Sequence, residues 1–359
     1  MKNILIITSS LSGGGTERVS VILANYLCDK SYNISIVVLE EKETTYNINK
    51  NINVYNLPNL KNKSNNIIKK IYYTIPNYNQ IKNIIKNNEI IKIISFCDLP
   101  AILLLLLFKK IILISSKRNY PAVSSFLKAF LEKQIYNRSE AIVFQTSEQM
   151  NFYSKNIQKK GVIIPNPILD NLPMPYNGIR EKEIITFCRI TKQKNLLMLI
   201  DGFIDFYKSF PDYKLIIYGD SSVKDKSYKE MLINYIITNK MEDVIKINNF
   251  THDIHNLILK SSCFVLTSDY EGLSNSMLES MAIGLPVICT DCKGGGAKAY
   301  IDNYENGILI PINDRNALTK ALVFISSNPD KAKTMSEKAV KIKETLSNNK
   351  ILEKWMGLL

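Results

Sequence analysis

Short, continuous apolar runs alternate with amphipathic stretches along nearly the whole chain. The runs at 3–9, 33–40, 90–96, 111–116 and 141–147 are apolar almost throughout rather than alternating with polar residues. Runs of that length predict parallel strands covered by helices on both faces. Between the first two, residues 16–30 place apolar side chains at 19, 22, 23, 26 and 27, the spacing of one helix face. The texture breaks at 165–175, where Pro165, Pro167, Pro173 and Pro175 exclude a regular helix or a central strand. Strand-like runs then resume at 183–190, 213–220, 243–250, 262–268 and 285–291, with helical stretches such as 195–210 between them. The expected fold class is α/β: two Rossmann-like doubly wound domains facing across a cleft. The first covers 1–168 and the second 183–340. A Pro-rich hinge, 169–182, joins them, and a C-terminal helix, 341–359, is anchored by the lone Trp355.

At 359 residues, 46% of them hydrophobic, the chain has material for two packed cores. The longest apolar run, 101–108, is too short to cross a bilayer, which needs about 20 apolar residues. It reads as a buried helix followed by a strand. The chain's first apolar run, about five residues, is shorter than a secretory signal's core, so no signal peptide is expected. Six cysteines sit mostly within apolar segments and read as reduced, buried small hydrophobes. Cys289 and Cys292 form a CxxC, but no second pair at suitable spacing completes a zinc site. The net charge of +13 suits anionic partners. No helix-turn-helix, zinc-finger or RNA-binding signature accompanies it, so nucleic acid is not the expected partner.

In open α/β sheets, ligands bind beyond the carboxyl ends of the strands. The chemistry-bearing motifs fall there. Gly13, Gly14 and Gly15 follow the first strand and open a helix, where backbone N–H groups can approach an anion or a sugar. The segment is neither GxGxxG nor a Walker loop, and an ordinary βα turn is the competing reading. Arg189 and Lys194 follow the first strand of the second domain. Two cations there suit a diphosphate, because Arg can fork two oxygens and Lys acts as a point charge. "SDYEGLSNSMLESMAIG", from 268 to 284, reads as a loop and then a helix closed by Gly284 and Pro286. Ser274 or Asn275 is the expected N-cap. Glu271 lies in the loop, and Glu279 lies about a turn inside the helix. The N–H groups of Gly272, Leu273 and Ser274 lead into the positive end of the helix dipole.

"EGLSNSMLE" resembles the E-x7-E signature of retaining glycosyltransferases of the two-Rossmann GT-B architecture, family 4. "GGGTERV" is similar to that family's N-terminal glycine loop, "RITKQKN" to its phosphate-binding segment, and "SSKRNYP" to a segment of its bacterial polysaccharide members. The four segments in this order carry the resemblance along nearly the whole chain. It implies that Glu271 holds the hydroxyls of the donor sugar and Glu279 those of the ribose. Gly272, Leu273 and Ser274 would meet sugar or phosphate, Arg189 and Lys194 the leaving diphosphate, and Gly14 and Gly15 the ligands near the glycine loop. The implied donor is a nucleotide-sugar, UDP-linked, acting as co-substrate with no cofactor and no metal. The implied acceptor is a saccharide on a polyprenyl diphosphate. The family's N-domain histidine has no counterpart; Arg118 or Asn119 would take its polar role. The only histidines, His252 and His255, are expected in a surface or loop setting. Lys109, Lys110, Lys117 and Arg118 are expected to meet an anionic membrane surface. The implied location is cytoplasmic, peripheral on the inner face of the membrane. A GDP-sugar transferase, a UDP-sugar epimerase, a glycoside hydrolase and a non-catalytic binding subunit are the rival readings.

Overall fold

The computed structural model describes residues 2–11, 15–39, 46–57, 79–96, 112–118 and 126–359. They form two compact units, Met1–Asn166 with Ile351–Leu359, and Pro167–Lys350. The last residues therefore pack with the first unit, whereas the sequence pattern alone sets 341–359 apart as a separate helix.

The first unit is built on seven parallel strands: β1 (Asn3–Thr8), β2 (Asn33–Val38), β3 (Asn53–Asn56), β4 (Lys92–Ser95), β5 (Ile112–Lys117), β6 (Ala141–Phe144) and β7 (Gly161–Ile163). Their order is β3-β2-β1-β4-β5-β6-β7. Ile4, Leu5, Ile6 and Ile7 are fully buried, as expected of a strand covered on both faces. The helix Gly15–Asp29 follows β1. The hydroxyls of Ser9 and Ser10 both donate to Glu17 Oε1, at 3.4 and 3.1 Å, and tie the strand end to the first helical turn.

The second unit has six parallel strands: β8 (Glu181–Phe187), β9 (Lys214–Tyr218), β10 (Ile245–Asn248), β11 (Ser261–Leu266), β12 (Val287–Thr290) and β13 (Ile308–Ile310). Their order is β10-β9-β8-β11-β12-β13. The sheet and the helix Leu196–Tyr207 share a core that includes Leu199, Phe203, Phe206, Leu215 and Val265. Both sheets thus follow the doubly wound order, in which the strand sequence reverses beside the first strand. In the second unit the reversal lies between β8 and β11. The loops leaving those two strands are where such a sheet takes its ligand.

Three strands have no counterpart in the apolar pattern: β3, β7 and β13. All three are edge strands of three or four residues. A strand that short, with one neighbour, needs no continuous apolar run.

The end of β5 corrects one expectation. Lys117 and Arg118 are only 6% and 7% exposed. Lys117 pairs with Glu132 at 2.5 Å. Arg118 donates from Nη1 to Asn166 Oδ1 at 2.6 Å and lies over the rings of Phe96 and Trp355, 5.1 and 5.7 Å from their centroids. Neither cation can serve a lipid surface from inside the first unit. Lys109 and Lys110, and the apolar run 101–108, lie outside the described residues.

Candidate functional site

The second unit gathers its sequence-predicted residues around the reversal point. β8 ends at Phe187. Cys188 and Arg189 follow, and a short 3-10 turn, Lys192–Lys194, leads to Asn195. Asn195 has a left-handed backbone, φ 45° and ψ 47°, and accepts from Met198 N as the cap of the next helix. Asparagine tolerates this region better than most residues. Its amide also donates to Asp269 Oδ1 at 2.8 Å and to Asn313 Oδ1 at 2.7 Å. One side chain thereby holds together the turn after β8, the loop after β11 and the loop after β13. Thr267 Oγ1 donates to the carbonyls of Lys194 and Asn195, which reinforces the junction.

This scaffold brings Lys194 against Glu271. Lys194 Nζ donates to Glu271 Oε2, and Ser268 Oγ donates to the same oxygen at 3.2 Å. The two charged side chains are 10% and 19% exposed. Burial pulls the Lys194 ammonium down from its ordinary value. The charge and hydrogen bond of Glu271, with the nearby Cys188 thiol, outweigh burial, so the net direction is up. An ammonium has three donors. One reaches Glu271, which leaves capacity toward a phosphate oxygen. Arg189 is exposed and makes no ion pair or hydrogen bond among the described residues, yet its charge is close enough to oppose that of Lys194.

The helix of the E-x7-E segment runs Asn275–Ala282, and its N-cap is Ser274, whose side chain accepts from Met277 N. Gly272, Leu273 and Ser274 are buried and lead into its positive end. The helix closes as expected: Gly284 adopts φ 76°, Gly284 N donates to Met281 O, and Leu285 N donates to Ser280 O. Behind the loop, a Cβ added to Gly296 would fall 1.9 Å from the carbonyl oxygen of Gly272. Only glycine allows that approach. Gly296→Ala is therefore expected to displace the 271–274 loop and weaken binding of the nucleotide-sugar that the sequence resemblance implies by about tenfold or more. Calorimetric titration checks it, and unchanged affinity would show that the loop position does not matter.

Glu279 is 5% exposed, and its Oε2 lies 2.8 Å from His255 Nε2. This corrects the expected surface or loop setting of His255, which sits on the helix Ile254–Ile258 with its side chain 16% exposed. His252 is exposed, as expected. Nothing in the sequence signals the His255–Glu279 pair, because only the packing of one helix on another creates it.

The CxxC lies near this site without joining its chemistry. Burial, with the charge of Glu271 opposing ionisation, pushes the Cys292 thiol up to about 12, and burial also raises that of Cys289. Both are free thiols. In the first unit, Gly15 opens its helix at an exposed position and Arg118 is buried as described. Gly14 and Asn119 lie outside the described residues. Burial pulls the Arg118 guanidinium down to about 9, which still leaves it cationic at neutral pH. Its Nε and Nη2 have no hydrogen-bond partner among the described residues.

Residues 177–342 match the family described as Glycosyl transferases group 1. The match lies within the second unit. Over 362 residues the chain is 27% identical to an uncharacterized glycosyltransferase of Haemophilus influenzae, with 97% of each chain covered. It is also 24% identical to a Campylobacter jejuni enzyme over 94% of each chain. The latter is N-acetylgalactosamine-N,N'-diacetylbacillosaminyl-diphospho-undecaprenol 4-alpha-N-acetylgalactosaminyltransferase. Among solved structures, Anabaena HepE in complex with UDP superposes with a TM-score of 0.81 at 16% identity, covering 100% of this chain and 99% of that one. The two doubly wound units of the chain are those of the GT-B fold. Among the described residues, no helix is long and apolar enough to cross a membrane.

Proposed function

We propose that the protein moves a hexose or N-acetylhexosamine, with retention, from a UDP-sugar to a saccharide on a polyprenyl diphosphate in surface polysaccharide or glycan synthesis. The observation that carries this reading is the Lys194–Glu271 pair at the sheet's reversal point, with Glu279 on the helix that follows. The names of the Campylobacter relative and of the UDP-bound HepE structure support the acceptor class and the nucleotide.

In this reading Glu271 and Glu279 hold opposite parts of one donor rather than forming an acid/base pair across a bond. A glycosidase places two carboxylates about the scissile bond. Here one carboxylate is tied to a lysine and the other to a histidine. Glu271 takes hydroxyls of the donor sugar and Glu279 those of the ribose. As the acceptor hydroxyl attacks on the face the diphosphate leaves, negative charge grows on the departing phosphate. Arg189, Lys194 and the dipole of the helix Asn275–Ala282 stabilise it there. Gly14 and Gly15 are assigned to the ligands near the glycine loop, and Arg118 or Asn119 to the polar role of the family's N-domain histidine.

The test incubates the purified chain with a panel of UDP- and GDP-sugars and a synthetic GalNAc- or GlcNAc-diphospho-lipid, with and without EDTA, and reads products by mass spectrometry. The expected result is one sugar added to the lipid from a UDP donor, at a rate EDTA does not change. Loss of activity in EDTA with recovery in Mn²⁺ overturns metal independence. Transfer from a GDP-sugar alone overturns the nucleotide. Interconversion of UDP-sugars without an acceptor makes the protein an epimerase.

The peripheral location on the inner membrane face rests on the net charge of +13. Flotation with anionic vesicles should fall as salt rises; absence of salt-sensitive binding overturns it.

A further inference from the structure

His255 stands where three elements converge. Its helix, Ile254–Ile258, lies between β10 and β11 in the chain. On one side its Nε2 meets Glu279 Oε2 at 2.8 Å. An ionised carboxylate offers only acceptors, so Nε2 carries the hydrogen and donates. On the other side the ring packs edge to face with Phe187, centroids 6.0 Å apart at 87°. Phe187 closes β8 and is itself braced against Phe264 of β11, 5.3 Å away. The imidazole is thus wedged between an aromatic side chain of the sheet and a carboxylate of the E-x7-E helix.

A carboxylate that grips two neighbouring hydroxyls needs its plane fixed, because both oxygens must meet the diol together. Glutamate has three torsions before that plane is set. A hydrogen bond to one oxygen, from a ring that is itself held, removes most of that freedom in advance. We propose that His255 is a positioning residue for Glu279, and that it sets the preference of the site for ribonucleotides over 2′-deoxyribonucleotides. The inference rests on the assignment of Glu279 to the donor's ribose made above.

A merely structural pair would move folding stability but not the discrimination between two sugars. The experiment therefore compares dissociation constants for UDP and 2′-deoxy-UDP, by calorimetric titration of the full chain. The proteins are the wild type, His255→Phe and His255→Gln. The wild type should prefer UDP by about tenfold or more, as expected of a site built to bond a hydroxyl. His255→Phe should bind UDP about tenfold more weakly and 2′-deoxy-UDP within about twofold of the wild type, so the preference collapses. His255→Gln, whose amide N–H lies at a reach similar to that of Nε2, should retain most of the preference. If His255→Phe does not fold, His255→Asn, which falls short of Glu279, makes the same comparison.

Equal weakening of both nucleotides, or an unchanged ratio, shows the pair to be structural and overturns the inference. A wild type that binds neither nucleotide fails at the donor site itself. A wild type that binds both nucleotides equally overturns the ribose role of Glu279 on which the inference stands.

Discussion

Glu271→Gln should lower kcat/KM for sugar transfer by about a hundredfold or more while leaving the chain folded. Glutamine keeps the shape of the side chain and can still accept a hydrogen bond from Lys194 and Ser268. What it loses is the charge that holds the ammonium, together with one strong acceptor for a sugar hydroxyl. Glu271→Ala is the harsher change. It leaves the Lys194 ammonium buried without its partner, and breaking a buried pair costs about 3–5 kcal/mol. Comparison of the two variants separates the contributions. If both lose activity alike while only alanine lowers the melting temperature, the activity loss belongs to the reaction. Lys194→Ala should behave as Glu271→Ala does, and the double variant should lose less than the sum, because the two side chains act as one unit. Additive losses would mean that the pair is not coupled. The stabilising share of the pair should be insensitive to pH near neutrality. The Lys194 ammonium is held above its ordinary value of 10.5, so that share is fully present below 10.5 and is lost as pH rises from there through the raised value. Full activity in Glu271→Gln would remove the carboxylate from the reaction altogether.

The parts of this fold that were legible in the sequence are those buried on both faces. The runs that became β1, β8 and β11 needed continuous apolar side chains, and that need is visible without coordinates. The edge strands β3, β7 and β13 did not need it. The residues gathered at the candidate site were legible for a related reason. A doubly wound sheet places ligand groups in the loops after particular strands, so Arg189, Lys194, Glu271 and Glu279 could be named from their offsets from apolar runs. Their partners could not. Lys194 and Glu271 are 77 positions apart, and they meet because β8 and β11 pair side by side. The contact between His255 and Glu279 depends on how two helices pack. The burial of Lys117 and Arg118 went unseen because a cation at a strand end reads as exposed until its acceptors, Glu132 and Asn166, are placed. Asn195 was hidden for yet another reason: a left-handed asparagine looks like any loop residue until its three bonds are drawn.

Trp355→Ala should cost the first unit about 3–5 kcal/mol, the largest stability effect expected in the chain outside the candidate site. The indole is fully buried at the end of the sequence, on the helix Asn348–Met356. Its centroid is 5.5 Å from that of Phe96, just beyond β4, and the Arg118 guanidinium lies over its face. Removal of the ring opens a cavity and strips one of two aromatic faces from a cation that burial already disfavours. The two losses fall on the same few atoms and should reinforce one another. The indole Nε1 has no hydrogen-bond partner among the described residues, so the polar part of the side chain contributes little. Trp355→Phe should accordingly cost far less than alanine, about 1–2 kcal/mol, since it keeps an aromatic face under Arg118. Deletion of residues 351–359 should be at least as damaging as Trp355→Ala, because Lys2 and Lys92 also donate to the carbonyls of Leu358 and Leu359. Urea unfolding of the three variants, followed by circular dichroism, orders them. A wild-type midpoint in Trp355→Ala would show that the final helix merely covers the first unit without stabilising it, and that Asn166 and Phe96 suffice to hold Arg118.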